Sequence, residues 1–282
     1  MPRRLTSEQH NAWQRDGVVV LPGFASAAEM AALLQRAGEL VDAFEPAAAP
    51  SVFSSRDRAR LSERALVESG DQVRCFLEEE ACDGDGRLRV DKAHAVNKIG
   101  HALHDRDPVF ARFSRSPCVA ALAADLGCLR PLLMQSMLIF KQPRIGGEVV
   151  WHQDASFLIS DPVSVVGLWW ALEDATRDNG CLWVAPGAHR GPLRERFVRT
   201  DGGFVTERLD AMPWPSGDAI RPLEVRAGTL VVFHGLMPHA SAPNRSGRSR
   251  LAYTLHLVDA AATWSPLNWL QRRGDDPARG FD

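Results

Sequence analysis

His152 and Asp154 stand one residue apart in the stretch Glu148-Val149-Val150-Trp151-His152-Gln153-Asp154-Ala155. Side chains alternate faces along an extended strand, so these two point one way and Gln153 the other. An imidazole and a carboxylate on one face can grip one side of a divalent metal ion. A third ligand from elsewhere completes a two-histidine, one-carboxylate triad, which leaves coordination positions open for oxygen and a co-substrate. The pair alone is common, and its weight comes from residues further along the chain.

Residues 229–244 read as a strand running into a loop that carries two histidines, His234 and His239. A later strand begins at Arg250, which shares a face with Ala252, Thr254 and His256. A charged residue heading a core strand needs an anionic partner, because an unpaired buried guanidinium is costly. A guanidinium is also the natural bidentate partner of a ligand carboxylate. Three histidines therefore compete for the third metal position. His256 lies roughly 20 Å beyond Arg250 along an extended strand, too far if both serve one small co-substrate. Between His234 and His239 the residues themselves do not decide.

The elements that must hold these residues are legible in outline. Thr6-Ser7-Glu8-Gln9 is a capping box that opens a short helix, and Gly17 is its stop. Residues 18–21 read as a strand. Ser26-Ala27-Ala28-Glu29 opens a second helix, whose apolar positions Met30, Leu33, Leu34, Ala37, Val41 and Phe44 keep the 3.6 period. Residues 45–70 read as irregular, 72–77 as a strand, and Asp83-Gly84-Asp85-Gly86 as a plain turn. Helices are expected over 93–104 and 117–125, with Ser116-Pro117 a good start and Gly127 a good stop for the latter. The first of these would put Lys98 on a helix, and His101 and His104 on one helical face as packing or surface histidines.

From residue 131 the pattern changes to strands, expected over 132–140, 149–153, 165–172, 181–184, 223–226, 229–233 and 251–258. Glycine-containing turn signals separate them. Many strands with few helices between them predict a mainly β chain with flanking α-helices. Its core would be a sandwich or jelly roll buttressed on one face by the N-terminal helices. The chain reads as one domain over 1–282: a mostly helical part to 130, the jelly-roll core over 131–260 and a C-terminal tail over 261–282. Within the core, 188–221 is a long insert, either disordered or a lid.

Composition narrows the function classes. The 282 residues can bury a large core, and 45% apolar content is ordinary for a soluble globular protein. A net charge of −2 argues against nucleic acid or an anionic membrane surface as partner. The start has no apolar run after Arg3-Arg4, so no signal peptide is expected, and the most apolar segment, 163–172, is half a membrane span. The five cysteines are odd in number and form no Cys-x-x-Cys. They read as reduced residues of a cytoplasmic protein.

His152-x-Asp154, then His239-Ala240-Ser241-x-Pro243-Asn244-x-Ser246, then Arg250 together resemble the phytanoyl-CoA dioxygenase family. Further blocks resemble its domain-containing protein 1 subgroup, among them Asn97-Lys98-Ile99-Gly100-His101, Phe140-Lys141-Gln142-Pro143, Asn179-Gly180-Cys181-Leu182-Trp183 and Trp264-Ser265-Pro266-x-Asn268-Trp269-Leu270. The likeness spans nearly the whole chain and is weakest over 45–70 and 190–222. It implies a double-stranded β-helix of the cupin type that uses iron(II), 2-oxoglutarate and O2 to hydroxylate a small molecule. It also implies His152, Asp154 and His239 as iron ligands and His234 as a structural residue. Arg250 would pair with the distal carboxylate of 2-oxoglutarate, supported by Ser241, with Lys98, Met137 and Trp169 as further co-substrate contacts. Related halogenases lack the carboxylate and bind halide in its place, so an intact Asp154 points to hydroxylation. Two other classes fit the triad less well. A cupin-like metal enzyme that uses no 2-oxoglutarate leaves Arg250 unexplained, and a non-catalytic binding protein leaves the complete triad unexplained.

Overall fold

A computed structural model of the chain describes residues 5–46, 52–53, 67–83, 87–201, 203–272 and 274–281. Most of the stretch 45–70 and positions 84–86 of the expected turn lie outside the described residues. The first helix, Ser7–Asp16, opens on the reciprocal box that its sequence requires. Thr6 Oγ1 accepts from the Gln9 amide, and Gln9 Oε1 accepts from the Thr6 amide. Gly17 ends it at φ 68°. A Cβ there would sit 2.3 Å from the His189 ring, so both backbone and packing demand glycine. Ser26 and Glu29 repeat the box for Ala27–Ala43, which buries Met30, Leu33, Ala37 and Val41.

Those helices cover the outer face of an eight-stranded sheet. Its order is Val18–Leu21, Leu230–His234, Val166–Ala171, Arg250–Asp259, Pro131–Lys141, Val96–His101, Val73–Glu78 and Val52–Phe53. Alternation along the central strands divides their residues between two environments. Trp170, Tyr253 and Leu255 join the helices in the largest apolar cluster. Phe113 meets Trp170 edge-on at 5.1 Å, and Phe110 lies 4.9 Å from the Tyr253 ring. Gly167, Trp169, Thr254, His256 and Arg250 take the other face, toward a four-stranded sheet ordered Arg221–Leu223, Leu182–Val184, His239–Ser241, Val149–His152. Two sheets face to face with helices outside one of them are the expected jelly roll. Among the described residues no helix is long and apolar enough to cross a membrane.

Two expectations change. The helix expected over 93–104 is instead a 3-10 turn Lys92–His94, the strand Val96–His101 and a short helix Leu103–Arg106. Val96 and Ile99 are stiff at χ1, and Gly100 would weaken a helix by about 1 kcal/mol relative to alanine. As a strand the segment is buried on both faces between two neighbours, and a Cβ at Gly100 would press on Met137 Cγ at 3.1 Å. The N-terminal part therefore adds four strands to the major sheet as well as helices. The strand expected over 223–226 forms earlier, at Arg221–Leu223, where it pairs with Leu182–Val184.

The insert 188–221 is ordered around an antiparallel hairpin, Glu195–Thr200 with Gly203–Arg208, in which Phe197 faces Thr206. The C-terminal segment is anchored by a charge cluster. The Asp105 carboxylate, fully buried, accepts from Arg115 Nη2 at 2.6 Å, and also from Arg272 and Arg279.

Candidate active site

The four-stranded sheet supplies both histidines of the site. His152 ends Val149–His152, His239 begins His239–Ser241, and the two are direct partners in the antiparallel register. Their rings lie 4.1 Å apart. Each ring is oriented by the main chain two residues before it: His152 Nδ1 meets Val150 O at 2.8 Å, and His239 Nδ1 meets Met237 O at 3.0 Å. A carbonyl can only accept, so Nδ1 carries a proton in both rings, and in the neutral tautomer this leaves the lone pair on Nε2, the nitrogen that faces the site. Burial, then the neighbouring His239, pushes the His152 pKa down to about 3, so the ring is neutral at physiological pH.

Just past the strand, Asp154 opens the 3-10 turn Asp154–Ser156. Its Oδ1 lies 3.8 Å from His152 Nε2 and 3.6 Å from His239 Nε2. Burial raises its pKa, but His256 and His239 more than offset that and hold the carboxyl well below its ordinary range. One ligand atom from each of the three residues lies within 4.8 Å of the other two. Two imidazole nitrogens and a carboxylate oxygen gathered this closely fit a divalent first-row metal such as iron(II).

Gln153 does point away from the site, as strand alternation requires, but it is fully buried. Its amide donates to Pro192 O and Leu236 O and accepts from the Arg194 amide. It thereby ties the ligand turn to the base of the hairpin and to the loop before His239. His234 ends its strand away from the triad, 5.4 Å from His189 and 6.1 Å from Trp13, as a structural residue would.

Of the co-substrate candidates, Lys98, Met137, Trp169 and Arg250 lie on the inner face of the major sheet, and Ser241 lies on the four-stranded sheet. Register places Met137, Thr254 and Trp169 in one row across it. Two residues along, in one direction, the next row holds Gln135, His256 and Gly167. Arg250, paired with Lys141, closes the other end. Arg250 is 1% exposed, and its Nε and Nη1 have no hydrogen-bond partner among the described residues. Its guanidinium carbon stands 5.5 Å from the Trp169 ring, so the side chain leans back along the strand. Burial lowers its pKa to about 10, which leaves it cationic. A buried cation with orphaned donors fits an anionic co-substrate such as 2-oxoglutarate. Ser241, two residues past His239, is 2% exposed. Lys98 is a strand residue, not the solvated helical one its expected element implied. It is 9% exposed, its ammonium lies 3.2 Å from the Phe53 ring centre, and burial lowers its pKa to about 7.

His152 and Asp154 open on a cavity of about 180 Å³. The sheet gives it Met137 and Ile139, the hairpin gives Phe197 and Thr206, and the tail gives Trp269. Two histidines turn out differently from their sequence reading. His101 is a buried strand residue on the cavity wall, bonded to Ser69 Oγ at 2.7 Å. His256 belongs to the site after all, as its Nε2 lies 3.2 Å from Asp154 Oδ2. Its neighbour is the Asp154 carboxylate, so the distance to Arg250 does not separate it from the triad. Its only sequence signal was the shared face with Arg250. Nothing in the sequence marked Phe197 or Thr206, which reach the cavity through the hairpin pairing.

The fold and this site define an iron(II)- and 2-oxoglutarate-dependent dioxygenase. Residues 13–252 match the family described as phytanoyl-CoA dioxygenase (PhyH). Phytanoyl-CoA dioxygenase domain-containing protein 1 of Bos taurus is 46% identical over 276 residues, covering 95% of both chains. Phytanoyl-CoA dioxygenase 1 of Oryza sativa subsp. japonica is 45% identical over 272 residues, again covering 95% of both. Among solved structures, EctD from S. alaskensis with 2-oxoglutarate and 5-hydroxyectoine has a TM-score of 0.66 at 22% identity, over 97% of this chain and 86% of that one. The epimerase SnoN in complex with Fe3+, alpha ketoglutarate and nogalamycin RO has a TM-score of 0.63 at 20% identity, over 92% and 85%. The chain belongs to the phytanoyl-CoA dioxygenase family.

Proposed function

We propose that the chain hydroxylates a small, largely apolar molecule at a C–H bond held in the cavity. His152, Asp154 and His239 hold the iron. Arg250 and Ser241 take the distal carboxylate of 2-oxoglutarate, with Lys98, Met137 and Trp169 lining its course. Iron(II) bound there supplies the activation of O2: one oxygen atom enters succinate as 2-oxoglutarate loses CO2, and the other enters the substrate as hydroxyl. The chain's own residues position the reactants and keep water out. Phe157, Phe197 and Trp269 enclose the substrate space.

The observation that carries this reading is Arg250, buried with two orphaned donors on the inner face of the sheet that floors the cavity. An anionic co-substrate would give these donors their partner. The arginines of the insert make other contacts, although buried Arg194 also keeps an unpaired Nε and Nη1. Arg194 faces Trp214 and Arg199 faces Phe204, Arg196 pairs with Glu207, and Arg190 bonds Gln14 O. Five cysteines, none of them in a disulfide, support a reducing setting, the cytoplasm.

The test is an anaerobic titration with iron(II) and 2-oxoglutarate, followed by exposure to oxygen. The expected result is a visible charge-transfer band from the chelated keto acid, which fades as succinate forms. Iron binding without the band would overturn the co-substrate assignment, and absence of iron binding would overturn the catalytic reading.

A further inference from the structure

Asp154 uses its two oxygens differently. Oδ1 faces the two ligand histidines, while Oδ2 points back at the major sheet. There it meets a notch made by one cross-strand pair, Gly167 and His256. A Cβ on Gly167 would stand 2.8 Å from Asp154 Oδ2 and 2.4 Å from Phe233 Cε2, so only glycine leaves room for the carboxylate. Phe233 in turn packs 4.5 Å from the His239 ring. On the other side of the notch His256 is 5% exposed, with Nε2 at 3.2 Å from Oδ2. Its N–H is off the line to that oxygen, which keeps no formal hydrogen bond in this structure. Polar contacts of this kind tighten once the reacting groups are assembled. The other ring nitrogen, Nδ1, is buried and has no partner among the described residues. Among those residues the carboxylate is therefore the group that sets the orientation and tautomer of this ring.

We propose that His256 is a positioning residue for the metal site: its Nε2–H holds Asp154 Oδ2 against the Gly167 notch, so that Oδ1 alone is presented to the metal. This inference rests on the iron-binding reading of the triad. A carboxylate free to rotate would offer two oxygens to the metal and occupy a position that O2 and the keto acid require. Outer partners of metal ligands that act in this way typically contribute about 10–100-fold to metal affinity.

Cobalt(II) is a suitable probe, because it is stable in air and its visible bands report coordination geometry. Titrations compare the whole wild-type chain with three variants. His256→Gln keeps an N–H donor near the position of Nε2, whereas His256→Asn and His256→Leu do not. The Gln variant should bind cobalt(II) within about threefold of wild type and with its spectrum. The Asn and Leu variants should bind about 10–100-fold more weakly with altered bands. Gly167→Ala, which crowds the same oxygen from the opposite side, should move affinity in the same direction. If Leu fails to fold, the Gln and Asn pair still decides, since both are polar and differ in reach. Wild-type affinity and spectrum in the Asn variant would overturn the role of His256 while leaving the metal site intact. A wild-type chain that binds no cobalt(II) or iron(II) would overturn the metal reading itself, and this inference with it.

Discussion

Arg250→Leu should make the ligand-free protein more stable and blind to 2-oxoglutarate. Burial holds the guanidinium near 10 against 12.5 for a free one, and this difference costs the charged form roughly 3 kcal/mol. The Trp169 face, 5.5 Å away, returns about 1 kcal/mol of that. Leucine removes the charge and its orphaned donors, so the net gain is about 2 kcal/mol, as seen when buried charges are replaced by apolar groups. For 282 residues the unfolding entropy is about 0.6 kcal/mol per kelvin, which converts the gain into a rise in Tm of about 3 °C. The assay is thermal unfolding with and without 2-oxoglutarate in the presence of iron(II) under anaerobic conditions. At 100-fold over Kd, the co-substrate should add about 2.7 kcal/mol to wild type and nothing to the variant. A variant that melts below wild type without ligand, or that still responds to 2-oxoglutarate, refutes the reasoning. Either result would mean that the arginine is structural.

Asp154→Ala should abolish iron binding and succinate formation together, measured by metal titration and by product analysis; undiminished turnover would remove the triad from the chemistry. Stability should fall in acid. Burial, then the neighbouring His189, holds His234 at about 4, and burial, then Lys98 and His256, holds His101 well below 6.5. Below 6.5 the unfolded chain binds more protons than the folded one. Their contribution is therefore complete above that pH and is lost toward the folded values, at roughly 1.4 kcal/mol per pH unit for each histidine. Urea unfolding at pH 7.5, 6 and 5 checks the slope, and a flat profile would contradict it. Asp105→Asn should destabilise the fold by about 3–5 kcal/mol, because it strands Arg115 and Arg272 around a neutral amide. A change below 1 kcal/mol in the same unfolding assay would show that the cluster is not holding the tail.

The sequence was legible where local chemistry decides. Both capping boxes, the apolar stripe of Ala27–Ala43 and the His-x-Asp pair follow from near neighbours in the chain. The resemblance separated His239 from His234, and the register of His239 with His152 puts it beside the pair. Readings failed where distant partners decide. The segment 93–104 contains good helix formers, but two flanking strands claim its backbone. Distance along the chain set His256 apart from the site, yet folding brings Asp154 to it from another sheet. The hairpin's cavity residues were hidden because only its closure turns Phe197 and Thr206 inward.

Each triad histidine takes its orientation from the carbonyl two residues before it, Val150 for His152 and Met237 for His239. The aim of both rings is thus written into three-residue stretches of main chain, whose carbonyls are present whatever side chains surround them. A metal centre with such self-contained sighting can keep its geometry while the apolar core behind it is exchanged piece by piece. Substrate range can then drift in the walls without the chemistry drifting with it.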